Sequence, residues 1–340
     1  IYQICKKLGY FMNNVVIPTI TAAAFTRSIE IALTKNFDRD AAITRVQKRL
    51  SVCENKKLYV KKHKNRITFY EVTDNVQRYL RPSSERTYAL ARRQYLECLL
   101  FLLKSNDPES LKYIATLNKM KQLIIAFEAG NMDIARIVMT FSQYQWFNHE
   151  YKKKSIDPEH ASGVGLQSTD SGILVRSKSE RLIGNACEAY AIPYHYEERL
   201  QINVVPFVKE LAEDLSKNGV LTDNLYTYNG YTCVWNVPDG LQSMNNPGSI
   251  WRSYNYRTGK LTMYNDFRFM LADGNFVIWE HEGLCRNFYY RFSASEREKM
   301  LIIAGGFPRQ NLIFTFEDDV NDTTQLDSFI EDRILPRLWF

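Results

Sequence analysis

The chain has 340 residues, of which 45% are hydrophobic and 13% aromatic, and it carries a net charge of +6. That length accommodates two domains of ordinary size, and that apolar content excludes an intrinsically disordered chain. Its six cysteines (Cys5, Cys53, Cys98, Cys187, Cys233 and Cys285) contain no C-x-x-C pair, and its five histidines no H-E-x-x-H spacing. A disulfide framework and a zinc site are therefore not expected, and the thiols read as those of a reduced, cytoplasmic protein.

The charge is unevenly spread. Residues 1–160 hold 27 Lys and Arg against 15 Asp and Glu, whereas residues 161–340 hold 17 against 23. The asymmetry points to a first half that meets a polyanion and a second half that concentrates carboxylates, or else to two solubilising surfaces of opposite sign. The apolar run Val15 to Phe25 is too short to span a bilayer and contains Pro18. No basic segment leads into a small-residue cleavage site, so no signal peptide is expected.

In chain order, the first fifty residues are read as mostly helical, with Asp38 and Asp40 near the start of DRDAAITRVQKRLSV. KLYVKKHKNRITFYEV (Lys57 to Val72) then reads as a basic β-hairpin. Lys57, Lys61, Lys62, Lys64 and Arg66, with Tyr59, Phe69 and Tyr70 among them, suit phosphate contact and base stacking. The alternative is a solvated hairpin whose lysines blunt an exposed edge. Residues 84–151 carry helical periodicity in three segments: one stops before Pro108, the next starts with Asp107 as N-cap, and MDIARIVMTFSQYQWF is the third. Residues 1–151 are thus expected to form a mainly helical domain with a hairpin. The polar, glycine-rich stretch 152–172 is the expected linker, and residues 173–340 the second domain.

In that second half, SKSERLIGNACEAYAIPYHYEERLQI (Ser177 to Ile202) predicts a helix, a turn at Pro193 and a strand. Ser177 and Glu180 have capping-box spacing, so Glu180 has an ordinary structural role open to it. An insertion of about 203–260 follows, with a helix predicted over VPFVKELAEDLSKNG and then an aromatic-rich stretch. Its aromatics suit either base stacking or a small core of the insertion's own. LTMYNDFRFML, the turn ADGN and FVIWEHEG predict a second hairpin, which brings Asp266 beside Glu280. Two carboxylates held together repel unless a cation or a proton lies between them, and such oxygen ligands suit Mg²⁺ or Mn²⁺.

RSKSE, IPYHYEERL, NDF, WEHEG and NLIFTFE resemble, in order, the motifs of a bacterial group within the PD-(D/E)XK nuclease superfamily, of restriction-endonuclease-like fold. The resemblance covers about residues 174–200 and 262–318. It implies an αβββαβ core, with a mixed sheet flanked by helices, inside an α/β or α+β chain. It also implies Glu180 as a helix acid, Asp266 as the strand acid, and Glu280 as the main ligand of Mg²⁺ or Mn²⁺. The implied activity is metal-dependent hydrolysis of phosphodiester bonds, in DNA with RNA not excluded, the basic first half gripping the substrate. Asn265 stands where the family has Pro, and Glu282 where it has the lysine of E-x-K. Lys299, on the following helix, is the expected stand-in, because that lysine migrates within the superfamily. Strand alternation puts Glu282 on the face of Glu280 and turns His281 away, to bond a carboxylate, contact substrate or pin the strand end. The other readings are a catalytically degraded, nucleic-acid-binding protein of nuclease fold and a protein-interaction module, in phage defence or its suppression.

Overall fold

A computed structural model describes residues 20–64, 66–74, 76–151, 166–203, 260–283, 294, 297, 298 and 300–340, with the backbone at 225–228, 231–236, 240–243 and 254–255. The architecture is mixed α/β, with several helices and small sheets. The chain splits into two compact units. One comprises residues 1–194, 269–275 and 322–340, the other residues 195–268 and 276–321.

In the first unit, α1 (Ala22–Thr34) starts at Thr21, whose hydroxyl accepts from Ala24 N. Phe25, Ile29, Ala32 and Leu33 recur at helical spacing and are buried. The C-terminal helix of the chain, Leu335–Trp339, packs on that stripe. Its Trp339 stands edge-on to Phe25 at 5.0 Å and donates from Nε1 to Ser28 Oγ at 2.7 Å. Helix α2 (Arg39–Ser51) is capped by Asp38.

The expected basic hairpin forms, β1 (Lys57–His63) against β2 (Arg66–Thr73), in a register that runs from Lys57↔Val72 to His63↔Arg66. A third strand, β3 (Val76–Leu80), extends it beyond the sequence reading. Four of its five residues are exposed, so no apolar alternation announces it. The sheet is fastened to α3 (Glu85–Lys104) and α4 (Leu111–Ala129) by apolar and ionic contacts. Phe69 of β2 meets Phe127 of α4 at 4.9 Å. Arg86 of α3 grips the Glu71 carboxylate with two bonds of 2.9 Å, and Lys56 adds a third at 2.8 Å.

Arg86, then Lys56, holds the Glu71 carboxyl at about 2, below its ordinary 4.5. A depressed carboxylate contributes stability above its unfolded value and loses it as the pH falls through the folded one. Glu71 is therefore expected to contribute stability near neutrality that is lost as the pH falls from about 4.5 toward 2, discounted by the solvent that screens its partially exposed partners. Urea unfolding at several pH values checks this: Glu71→Gln should flatten the acid limb of the stability profile. An unchanged acid limb would show that the pair contributes nothing.

Two local expectations are corrected. Helix α4 begins at Leu111 with Ser110 as N-cap, not at Pro108 with Asp107. Asp107 instead accepts from Glu109 N in a turn, which leaves the Ser110 hydroxyl to reach Tyr113 N. The single helix expected over 132–147 is two, α5 (Ala135–Val138) and α6 (Phe141–Tyr151). Thr140 breaks it, because its hydroxyl accepts from Gln143 N while the Gln143 side chain accepts from Thr140 N, a reciprocal cap. Strands β4 (Gln167–Ser168) and β5 (Leu174–Val175) and helix α7 (Lys178–Ala189) follow. Residues 152–165 of the expected linker lie outside the described residues.

The second unit is built on a five-stranded mixed sheet. Strand β6 (His195–Asn203) pairs antiparallel with β11 (Lys260–Met270), and β11 neighbours β12 (Phe276–Glu282), which pairs in parallel with β13 (Leu312–Phe316). A short β10 (Tyr254–Asn255) meets the start of β11. Between β6 and β10, strands β7 (Leu225–Tyr228), β8 (Tyr231–Asn236) and β9 (Gly240–Ser243) form a small antiparallel sheet. The helix expected over 205–219, and the side chains of the insertion's aromatics, lie outside the described residues.

On one face of the main sheet, Ile202, Leu261, Met263, Ile278 and Leu312 pack with Met300 and Leu301 of the helix before β13. That helix ends at Gly305-Gly306. A Cβ at Gly305 would stand 2.7 Å from Leu301 O, and Gly306 has φ +67°. No described helix is long and apolar enough to cross a membrane, and Cys53, Cys98 and Cys187 are free thiols.

Candidate active site

The Asp273-Gly274 turn forms as its sequence predicts. Asp273 accepts from Asn275 N, Leu271 N donates to Asn275 O at 2.8 Å, and Gly274 takes φ +88°. The turn aligns β11 with β12 so that Asp266 Oδ2 accepts from the backbone N of His281 at 2.7 Å. The expected neighbours are brought together: Asp266 and Glu282 both raise the pKa of Glu280.

None of these groups faces open water. Glu280 is 1% exposed, Asp266 6%, and His281 and Glu282 7% each. Buried carboxylates are costly unless something neutralises them. Among the described residues the counter-charge of Glu280 is Arg297, on the helix that carries Met300 and Leu301, with Nη1 2.6 Å from Glu280 Oε2. Glu280, Asp266 and Glu282 all hold the guanidinium in its charged form. Burial is the largest influence on Glu280 and pushes its carboxyl up to about 8, with Asp266 and Glu282 adding to the rise and Arg297 opposing it.

Sequence reasoning missed Arg297, though a signal existed. It stands three and four residues before Met300 and Leu301, so a helix that buries those two brings Arg297 to the same face. Lys299, the expected stand-in, lies outside the described residues.

His281 is held by its side chain as well as its backbone. Nδ1 lies 3.3 Å from Thr315 Oγ1 and Nε2 lies 3.6 Å from Glu317 Oε1. Both contacts suit a histidine that ties β12 to the end of β13. Trp279, on the same side of the strand, donates from Nε1 to the same Thr315 hydroxyl at 2.9 Å. In β6 the partners of Asn265 and Phe267 are Glu198 and Tyr196, and Glu197 between those partners takes φ +50°. A non-glycine residue in that conformation is strained, and such strain gathers at functional sites.

Glu180 belongs to the other compact unit. Its carboxylate completes the capping box predicted from its spacing: Oε2 accepts from Ser177 N at 3.0 Å and Arg176 N at 2.8 Å, while Ser177 Oγ accepts from Glu180 N. Lys57, Lys61, Lys62, Lys64 and Arg66 are all exposed on the hairpin, where they remain open to solution.

The fit of this site to a divalent cation rests on one atom. Among the described residues Glu280 Oε1 is buried without a hydrogen-bond partner, an unsatisfied acceptor beside two further carboxylates. A hard cation such as Mg²⁺, which takes one or two carboxylates and completes its shell with water and phosphate oxygen, matches that donor set. Among the described residues no three His, Cys, Asp or Glu side chains are already gathered as a metal cluster, so Asp266 and Glu280 would be the protein's share. No family model, curated protein or solved structure matches the chain.

Proposed function

We propose that the protein is a metal-dependent nuclease whose chemistry is centred on Glu280. The observation that carries this reading is the buried, half-satisfied Glu280 carboxylate, set between Asp266 and Arg297 at the end of a mixed sheet. The chain order α7, β6, β11, β12, helix, β13, with β13 parallel to β12, supports the finer reading of an αβββαβ, restriction-endonuclease-like core.

Mg²⁺ or Mn²⁺, when bound, would supply Lewis acidity toward a phosphodiester and offset the charge of its pentacoordinate transition state. Asp266 is oriented for this by the His281 N–H, which leaves its carboxylate fixed rather than free to rotate. Arg297, held as a guanidinium beside the carboxylates, is placed to meet phosphate charge as it develops, the task of the absent E-x-K lysine. Its side chain is 32% exposed, which leaves it accessible to a substrate.

A second reading is favoured by the same ion pair. If Arg297 permanently neutralises Glu280, the site is a degraded one and the chain serves as a binding or interaction module. Incubation with single- and double-stranded DNA and RNA, in Mg²⁺, Mn²⁺ or chelator, separates the two. Cleavage that needs metal and disappears in Asp266→Ala is the expected result. Cleavage that survives chelator sinks the nuclease reading, and absence of both cleavage and Mn²⁺ binding favours the second. Within the nuclease reading, Arg297→Gln is expected to slow cleavage about 10²-fold. Near-normal cleavage by Arg297→Gln, with loss in Lys299→Ala, would transfer the cation's role to Lys299.

A further inference from the structure

The basic hairpin borders a groove whose lining the charge pattern alone does not reveal. It is about 490 Å³ and lies between β1 and the helices α3 and α4, within the first unit. Strand β1 is the outer strand of its three-stranded sheet. Lys57, Tyr59 and Lys62 of β1 and Lys119 of α4 are among its lining residues. The floor is apolar, from Leu58 and Leu123, both buried, and Ile125, 42% exposed.

Charge decides what such a groove accepts. Lys56, also in the lining, is paired with Glu71 at 2.8 Å, and the acid Glu97 is paired with Arg93 at 2.8 Å. That leaves Lys57, Lys62 and Lys119, all exposed and without an ion pair among the described residues, as three ammonium groups around an apolar floor. Tyr59, 46% exposed, also lines the groove.

We infer that this groove binds a single strand of nucleic acid. Phosphates sit on Lys57, Lys62 and Lys119, and a base lies on the apolar floor against Tyr59. A duplex, about 20 Å across and stiff over many turns, is too broad for a groove of this volume, whereas one or two splayed nucleotides fill it. An acidic peptide answers the same lysines but has no flat π-face for Tyr59, so the strand is the better match. The inference deepens the proposed nuclease reading by locating the substrate grip, and it divides the predicted basic residues. Lys57 and Lys62 line the groove, whereas Lys61, Lys64 and Arg66 are not part of its lining.

Fluorescence anisotropy with a short labelled oligothymidine strand, in chelator so that nothing is cleaved, tests it. Lys119→Gln, distant in sequence from the hairpin, should weaken binding about fivefold and lower the slope of log affinity against log salt by about 0.7. Tyr59→Ala should weaken binding about tenfold with the slope unchanged. Lys104→Gln, a lysine outside the groove lining, serves as control and should bind as wild type. Circular dichroism melts confirm that each variant is folded.

Unchanged binding in folded Lys119→Gln and Tyr59→Ala overturns the proposal. So does tighter binding of a duplex of the same length, or preferential binding of a polyglutamate peptide, which would assign the groove to an acidic protein partner. Binding that behaves as expected in a protein that cleaves nothing in Mg²⁺ leaves the groove standing and removes only the nuclease reading.

Discussion

Glu280→Gln is expected to fold as the wild type and to lose about 10³-fold in metal-supported cleavage. The two halves of that result have different causes. Burial already drives the Glu280 carboxyl toward its neutral form, and a neutral amide of the same shape fills the same space. The amide oxygen can still accept from Arg297, so the helix that carries Arg297 keeps its contact with β12. What the variant removes is the negative charge and the second carboxylate oxygen, the buried Oε1 that lacks a hydrogen-bond partner among the described residues. Glu280→Ala should be as inactive but less stable, because it leaves a cavity and deprives Arg297 of its nearest counter-charge. Thermal melts beside cleavage assays distinguish these effects. Cleavage at near wild-type rate by a folded Glu280→Gln protein would remove Glu280 from the chemistry.

Trp279→Ala is expected to cost about 3–5 kcal/mol of stability, the range for truncating a large buried aromatic. Trp279 is fully buried in β12, and its Nε1 bond to Thr315 ties β12 to β13 at the residues beside the carboxylates. Trp279→Phe keeps most of the volume and loses the hydrogen bond, so its cost should be nearer 1 kcal/mol plus a small packing loss. Urea unfolding of both variants measures the difference. A cost below about 1 kcal/mol for the alanine variant would mean that the site is not supported by packing at this position. At a temperature where Trp279→Ala is partly unfolded, cleavage should fall in proportion to the unfolded fraction, unlike the loss in Glu280→Gln.

Much of the local structure was legible because its determinants lie within a few residues of one another. The Ser177–Glu180 capping box and the Asp273-Gly274 turn each depend on a hydroxyl, a carboxylate or a glycine at fixed spacing. The β1–β2 hairpin was legible from two β-rich runs about a polar tip. Failures came where two local signals competed. Asp107 reads as the cap before Pro108, but its carboxylate closes a turn onto Glu109 N and Ser110 caps the helix instead. Strand β3 gave no alternating pattern, so its pairing with β2 was invisible until the sheet was assembled.

Sequence by itself determined that Asp266 and Glu280 stand together, since a two-residue strand period about a short turn leaves little freedom in register. It also determined that the basic residues cluster on a hairpin. Only the tertiary structure decided that the carboxylates are buried rather than solvated, and that Arg297 is their described counter-charge. It alone brought Lys119 to the same groove as Lys57 and Lys62. The physical reason is common to all three. Turns, caps and strand periods are set by neighbours along the chain, whereas desolvation and ion pairing depend on which distant segment comes to cover a residue.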